Sequence, residues 1–198
     1  MSMTAHDRAK WDERYYQRNG DYPPPDPLLL LYTPPLKPKQ KARALDLACG
    51  LGQNGLWLAQ QGYIVDMMDI SRVALMRAQH EMNARQLRHV NLLQVDLDDT
   101  DLDEGMYDVV CVFRFLNRDL FHKIRACVVE GGRVIYETYN TRHHSDNPLF
   151  NPAYLLDIGE LIVHFEGWQI LHQCDDENIP QLVAVKTSIS PNETTSEF

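Results

Sequence analysis

RALDLACGLGQNG, residues 43–55, decides how the chain is read. Ala44, Leu45 and Leu47 form the apolar lead of a short buried strand. Asp46 belongs to that lead, and three glycines follow it, Gly50, Gly52 and Gly55. The run Leu56-Trp57-Leu58-Ala59 then reads as helix and stops at Gly62, a good helix-ending residue. A strand, a glycine loop and a helix N-terminus let a nucleotide-like ligand touch backbone. Glycine takes positive φ, and its missing side chain lets the ligand come close. The spacing G-x-G-x-x-G alone also suits a dinucleotide site. Asp46, four residues before the first glycine, argues against that. A carboxylate beside the loop repels a pyrophosphate and attracts a cationic amino group or a sulfonium.

The 198 residues suffice for one α/β domain with a real core, and 44% of them are hydrophobic. No apolar run is long enough to span a bilayer. The opening MSMTAHDRAKWDERYYQ is charged and lacks the apolar stretch of a signal peptide, so a cytoplasmic protein is expected. Cys49, Cys111, Cys127 and Cys174 are scattered, with no C-x-x-C, and read as free thiols. The net charge of −9 argues against a broad nucleic-acid-binding face. The basic stretch Lys37 to Arg43 reads as a solvated linker.

Alternating strands and helices surround the glycine loop. Residues 4–18 form an amphipathic helix with Trp11 and Tyr15 on one face. Residues 22–38 hold seven of the eleven prolines, which predicts an ordered loop with one short helical turn. A second strand, Tyr63 to Met68, ends in Asp69-Ile70-Ser71, and Ser71 caps a helix carrying Val73, Ala74, Leu75, Ala78 and Met82. Val90 to Val95 is a third strand, followed by Asp96-Leu97. YDVVCVF, Tyr107 to Phe113, is a fourth, apolar enough to be covered on both faces. A helix over Leu120 to Val128 follows. Gly131-Gly132 then turns the chain into a fifth strand, Arg133 to Tyr139. After the polar loop 140–153, Asn151-Pro152 starts a last helix through Phe165. Two strands, about Trp168 to Cys174 and Leu182 to Lys186, close the fold. The tail from Thr187 lacks core residues and reads as disordered. The fold class is α/β: a doubly wound, mostly parallel seven-stranded sheet with helices on both faces and the last strand antiparallel. One domain spans residues 1–186, its first 41 residues forming a helix and a Pro-rich cap.

The segment D-x-x-x-G-x-G, Asp46 to Gly52, resembles motif I of the class I S-adenosylmethionine (SAM) methyltransferases. The resemblance runs from about residue 8 to 186 and is strongest over 43–139. It implies SAM as cofactor and a ligand outside the C-terminal ends of the strands. It assigns Asp46, Ala48, Gly50 and Gly52 to the loop around the cofactor, Asp69 to the ribose hydroxyls, and Ile70 beside it to cofactor binding. It gives Asp96 to the adenine amino group, Leu97 to the adenine ring, and Phe113 to the cofactor wall. WDERY, residues 11–15, resembles the opening helix of several small-molecule methyltransferases, which makes Arg14 and Tyr15 candidates for the methionine carboxylate.

Methyl transfer from a sulfonium relies largely on proximity and orientation. A thiolate or a selenium or tellurium oxyanion needs little more. A hydroxyl or amine acceptor wants a general base, for which Tyr139, His143, His144 and Glu137 are candidates. Arg114 can hold an anionic acceptor. The adjacent histidines fall short of a metal site, with no third ligand at useful spacing. Fourth-strand residues Phe113-Arg114-Phe115-Leu116-Asn117 lack the N/D-P-P-Y/F of amino-methylating enzymes. Size and layout are similar to the tellurite-resistance and thiopurine-type enzymes, implying a small-molecule acceptor, no nucleic-acid or membrane partner, and a monomer or homodimer. Two rivals stay open: a dinucleotide-binding oxidoreductase, since Asp69 lies nineteen residues after Gly50, and a SAM-binding module without catalysis.

Overall fold

A computed structural model describes residues 5–188. Helix α1 (Ala5–Gln17) and the short α2 (Pro27–Tyr32) precede β1 (Arg43–Leu47), α3 (Gln53–Gln60), β2 (Ile64–Asp69), α4 (Arg72–Ala84) and β3 (Val90–Gln94). Then come β4 (Tyr107–Phe113), α5 (Phe121–Cys127), β5 (Val128–Glu137), the short α6 (His143–Asp146) and α7 (Glu160–Val163), β6 (Gln169–Cys174) and β7 (Gln181–Val185). Seven strands form one sheet in the order β3-β2-β1-β4-β5-β7-β6. β1 to β5 pair in parallel, and β7 runs antiparallel to both β5 and β6.

The central strands are buried on both faces, and alternate residues feed two cores, while the edge strands β3 and β6 are partly exposed. Ala44, Val109, Cys111 and Ile135 meet the α2, α3 and α4 residues Leu29, Leu56, Leu58 and Leu75. Leu45, Leu47, Val110, Val112 and Val134 meet Phe121, Ile124, Leu161 and Phe165 on the other side. The order of strands reverses beside β1, where β2 lies on one side and β4 on the other. That switch point opens a crevice at the strand ends.

Two elements depart from the sequence expectation. Gly131-Gly132 lies inside β5 rather than before it. The strand begins at Val128, and its register against β4 shifts between Tyr107 and Val109. Gly131, at φ 77°, absorbs the extra residues as an irregularity that a side chain would strain. The expected last helix is broken into a 3-10 turn, Pro152–Tyr154, and α7. Asn151 does cap that turn, accepting the Ala153 N–H at 3.0 Å. Leu156 is drawn into backbone pairing instead: its N–H donates to the Tyr139 carbonyl and its carbonyl accepts from Thr141, both at 2.9 Å. Of the expected disordered tail, residues 189–198 lie outside the described residues.

Candidate active site

The loop after β1 is built from left-handed residues: Ala48 (φ 52°), Gly50 (φ 55°) and Gly52 (φ 81°). The last two have different uses. A Cβ on Gly52 would sit 2.1 Å from the Met67 methyl, so this glycine admits core packing. A Cβ on Gly50 would instead meet the Tyr15 hydroxyl at 2.5 Å, so Gly50 admits α1.

Asp46 does not lie on the wall of the cavity beside the loop, in contrast to the sequence expectation. Alternation along β1 turns it to the face of Ala44, beneath the N-terminus of α3. There its carboxylate accepts the Gly55 N–H at 2.8 Å and the Cys111 thiol at 3.4 Å. Burial pushes its pKa up to about 7, against the pull of those two donors. It thereby ties β1 to the first turn of α3 and to β4. Asp69, at the end of β2, accepts the Gly50 N–H at 2.7 Å and the Ser71 N–H at 2.8 Å. Burial raises its pKa while these amides lower it.

Around these residues lies a cavity of about 860 Å³, within the roughly 300–1,000 Å³ of small-molecule sites. Ala48, Asp69, Ile70 and Leu97 face it from the first three strand ends, and Phe113, Arg114 and Tyr139 from the next two. Arg14 and Tyr15 of α1 close it from above. Gly50, Gly52, Asp96 and His143 are not on its wall. Asp96 caps a 3-10 turn, accepting the Asp98 N–H at 3.0 Å with one oxygen. His143 stacks behind Tyr139, ring centroids 4.3 Å apart, so it backs the wall. His144 is exposed.

Arg114 is held from several sides. Its backbone sits at φ 59°, and its N–H donates to the Glu137 carbonyl at 2.7 Å. Its Nη1 lies 2.8 Å from Glu137 Oε1, although no N–H points directly at that oxygen. Its guanidinium also covers the Tyr139 ring at 5.2 Å. Glu137 is buried, which raises its pKa, while Gln181 and Arg114 oppose the rise. Ala48 and Arg114 are both strained non-glycine residues on the cavity wall, where such strain tends to collect.

Sequence reasoning missed several wall residues. Asp26 faces the cavity from the Pro-rich cap; it accepts the Leu28 N–H and its own N–H donates to Asn54 Oδ1. Its signal was legible as an N-cap followed by Pro27. Phe115, Phe150 and Tyr154 form an aromatic side that nothing in their local pattern announces. Cys49 also faces the cavity, but burial pushes its thiol well above the ordinary value, which disfavours the nucleophilic thiolate.

Residues 44–132 match a family model described as a methyltransferase domain. Over that stretch the chain is similar to methyltransferase domains. A putative methyltransferase, YqeM, of Bacillus subtilis is 34% identical over 73 residues, 37% of this chain and 29% of that protein. The chain thus matches less than a third of this curated relative's length. Two solved structures share the fold. A SAM-dependent methyltransferase from Mesorhizobium loti superposes with a TM-score of 0.65 at 15% identity, covering 81% of this chain and 96% of the other. TehB from Haemophilus influenzae gives 0.66 at 19%, covering 75% and 59%. The domain's strand-end cavity fits an adenosyl ligand: a buried acid faces it at the β2 end, with apolar Ile70 and Leu97 alongside. Among the described residues no helix is long and apolar enough to cross a membrane.

Proposed function

We propose that the chain transfers a methyl group from SAM to a small-molecule acceptor whose nucleophile is soft and anionic, such as a thiolate or a selenium or tellurium oxyanion. One observation carries this reading. A single cavity joins Asp69, Ile70 and Leu97 at one end to Arg114, Tyr139 and Phe150 at the other. SAM supplies a methyl carbon activated by a sulfonium leaving group. At the donor end Asp69 accepts the ribose hydroxyls, and Ile70 and Leu97 line the adenine. Arg14 and Tyr15 reach the methionine carboxylate.

The acceptor end argues for an anion. It presents the Arg114 guanidinium and aromatic faces beside the Asp26 carboxylate of the cap, while Glu137 is 3% exposed and the His143 imidazole lies behind Tyr139. An acceptor that arrives already ionised needs no base and gains from Arg114. Such acceptors suit the tellurite-resistance and thiopurine-type enzymes, and the acidic chain makes a nucleic-acid substrate a poor fit.

Calorimetric titration with SAM, S-adenosylhomocysteine and NAD(H) in parallel tests the donor. Micromolar binding of the two adenosyl ligands alone is expected, and binding of NAD(H) alone overturns the reading. Turnover with a panel of thiols, tellurite, selenite, phenols and amines then tests the acceptor. Turnover confined to amines or phenols would remove the soft-nucleophile assignment.

A further inference from the structure

Helices α1 and α4 cap each other. Asp12 of α1 uses Oδ1 to accept the Ser71 hydroxyl at 2.6 Å and the Val73 N–H at 3.1 Å. Ser71 is the N-cap of α4, and its oxygen takes the Ala74 N–H at 3.1 Å. Amides at a helix start have no partner within the helix. Ser71 serves one of these and Asp12 another, with the positive end of the helix favouring its charge. In return Arg77 of α4 donates through Nη1 to the carbonyls of Tyr15 and Arg18, both at 2.8 Å. Those carbonyls lie at the end of α1, where acceptors lack partners in their own helix.

Neither Asp12 nor Arg77 is on the cavity wall, yet together they connect its parts. Asp12 holds the Ser71 side chain; the Ser71 N–H holds Asp69 Oδ1; Asp69 Oδ2 holds the Gly50 N–H; and the Tyr15 hydroxyl rests on Gly50. The path leaves α1 at Asp12 and returns to it at Tyr15. Trp11, Arg14 and Tyr15, which face the cavity, ride on the stretch of α1 that these anchors fix.

We propose that Asp12 is a positioning residue for the methyl donor: by tying α1 to the start of α4 it sets Asp69 and Tyr15 against each other around Gly50. Docking of α1 and binding of an adenosyl ligand are therefore coupled, and α1 is part of the donor site. This rests on the SAM reading above.

The test compares wild type, Asp12→Ala, Asp12→Asn and Arg77→Ala. The readouts are S-adenosylhomocysteine affinity by calorimetry and amide exchange of residues 5–18 with and without that ligand. Wild type should bind and its α1 amides should slow their exchange. Asp12→Ala should bind tenfold or more weakly and lose that slowing. Asp12→Asn should recover most of the affinity, because its amide oxygen still accepts from Ser71 and Val73. Rescue by asparagine separates this role from a merely structural one. If Asp12→Ala does not fold, Arg77→Ala carries the test, since it cuts the other anchor and leaves the α4 cap whole. Variants of Asp12 and Arg77 that bind within twofold of wild type overturn the proposal, as does an asparagine variant no better than alanine. Failure of wild type itself to bind overturns the SAM reading instead.

Discussion

The hydroxyl of Tyr15 rests on Gly50 so closely that a Cβ at residue 50 would stand 2.5 Å from it. The glycine of the nucleotide-type loop thus serves a side chain of its own protein. Gly50→Ala meets two penalties, the left-handed backbone at φ 55° and the clash with Tyr15. The backbone term alone is about 1–2 kcal/mol, roughly 2–8 °C in melting temperature for a domain of this size. The double variant Gly50→Ala with Tyr15→Ala should be more stable than the sum of its parts. Strict additivity in thermal melts would show that the contact carries no energy.

Asp69 bridges the Gly50 and Ser71 amides while facing the cavity. Asp69→Ala removes the proposed ribose acceptor and leaves two buried donors without partners. Hydrogen bonds to charged groups contribute about 1.5–3 kcal/mol, so S-adenosylhomocysteine affinity should fall roughly 10- to 100-fold by calorimetry. Asp69→Asn, which keeps one carbonyl oxygen, should lose less. Unchanged affinity in the alanine variant would remove Asp69 from the donor site.

Local chemistry makes part of this site legible in the sequence. The glycine loop, the apolar fourth strand and the Ser71 cap are written in adjacent residues, and Asp69 follows from the strand that it ends. Asp46 is harder to place, because its neighbours in sequence suggest the loop, whereas alternation with Leu45 and Leu47 aims it at α3. The break in the last helix is hidden because Leu156 bonds to Tyr139 and Thr141, strand-like pairing that outweighs a helical apolar pattern. Asp12 is hidden by the same kind of distant contact: its partner Ser71 lies 59 residues away.

The buried carboxyl of Asp46 makes stability depend on pH. Its pKa is raised from 3.8 in the unfolded chain to about 7 in the fold. Folding stability from this group is therefore fully present below about pH 4 and is lost as pH rises through 7. Urea unfolding of wild type should show stability declining from pH 5 to pH 8. Asp46→Asn should flatten that decline by on the order of a few kcal/mol at most. Some slope should persist, because Asp69 and Glu137 are raised in the same direction. An identical slope in the variant would mean that Asp46 is not the group being ionised.

Arg114 stands where the proposed acceptor meets the chain, and it is the cation beside a buried Glu137. Arg114→Ala should leave S-adenosylhomocysteine affinity within twofold of wild type and raise KM for an anionic acceptor at least tenfold. An equal loss of donor affinity and activity would place Arg114 on the donor side instead. The same substitution carries a stability signature. Removing a partner from a fully buried pair costs about 3–5 kcal/mol. The Arg114 side chain is 39% exposed and solvent screening weakens the pair, so a loss of about 1–2 kcal/mol is expected at pH 8. The Glu137 pKa is already raised, and losing the cation raises it further. A group raised in the fold stabilises at low pH, so the deficit should shrink as pH falls from 8 toward the ordinary carboxylate range and Glu137 takes up a proton. A deficit that stays constant over that range would show that Arg114 supports the fold through its packing on Tyr139 rather than through its charge.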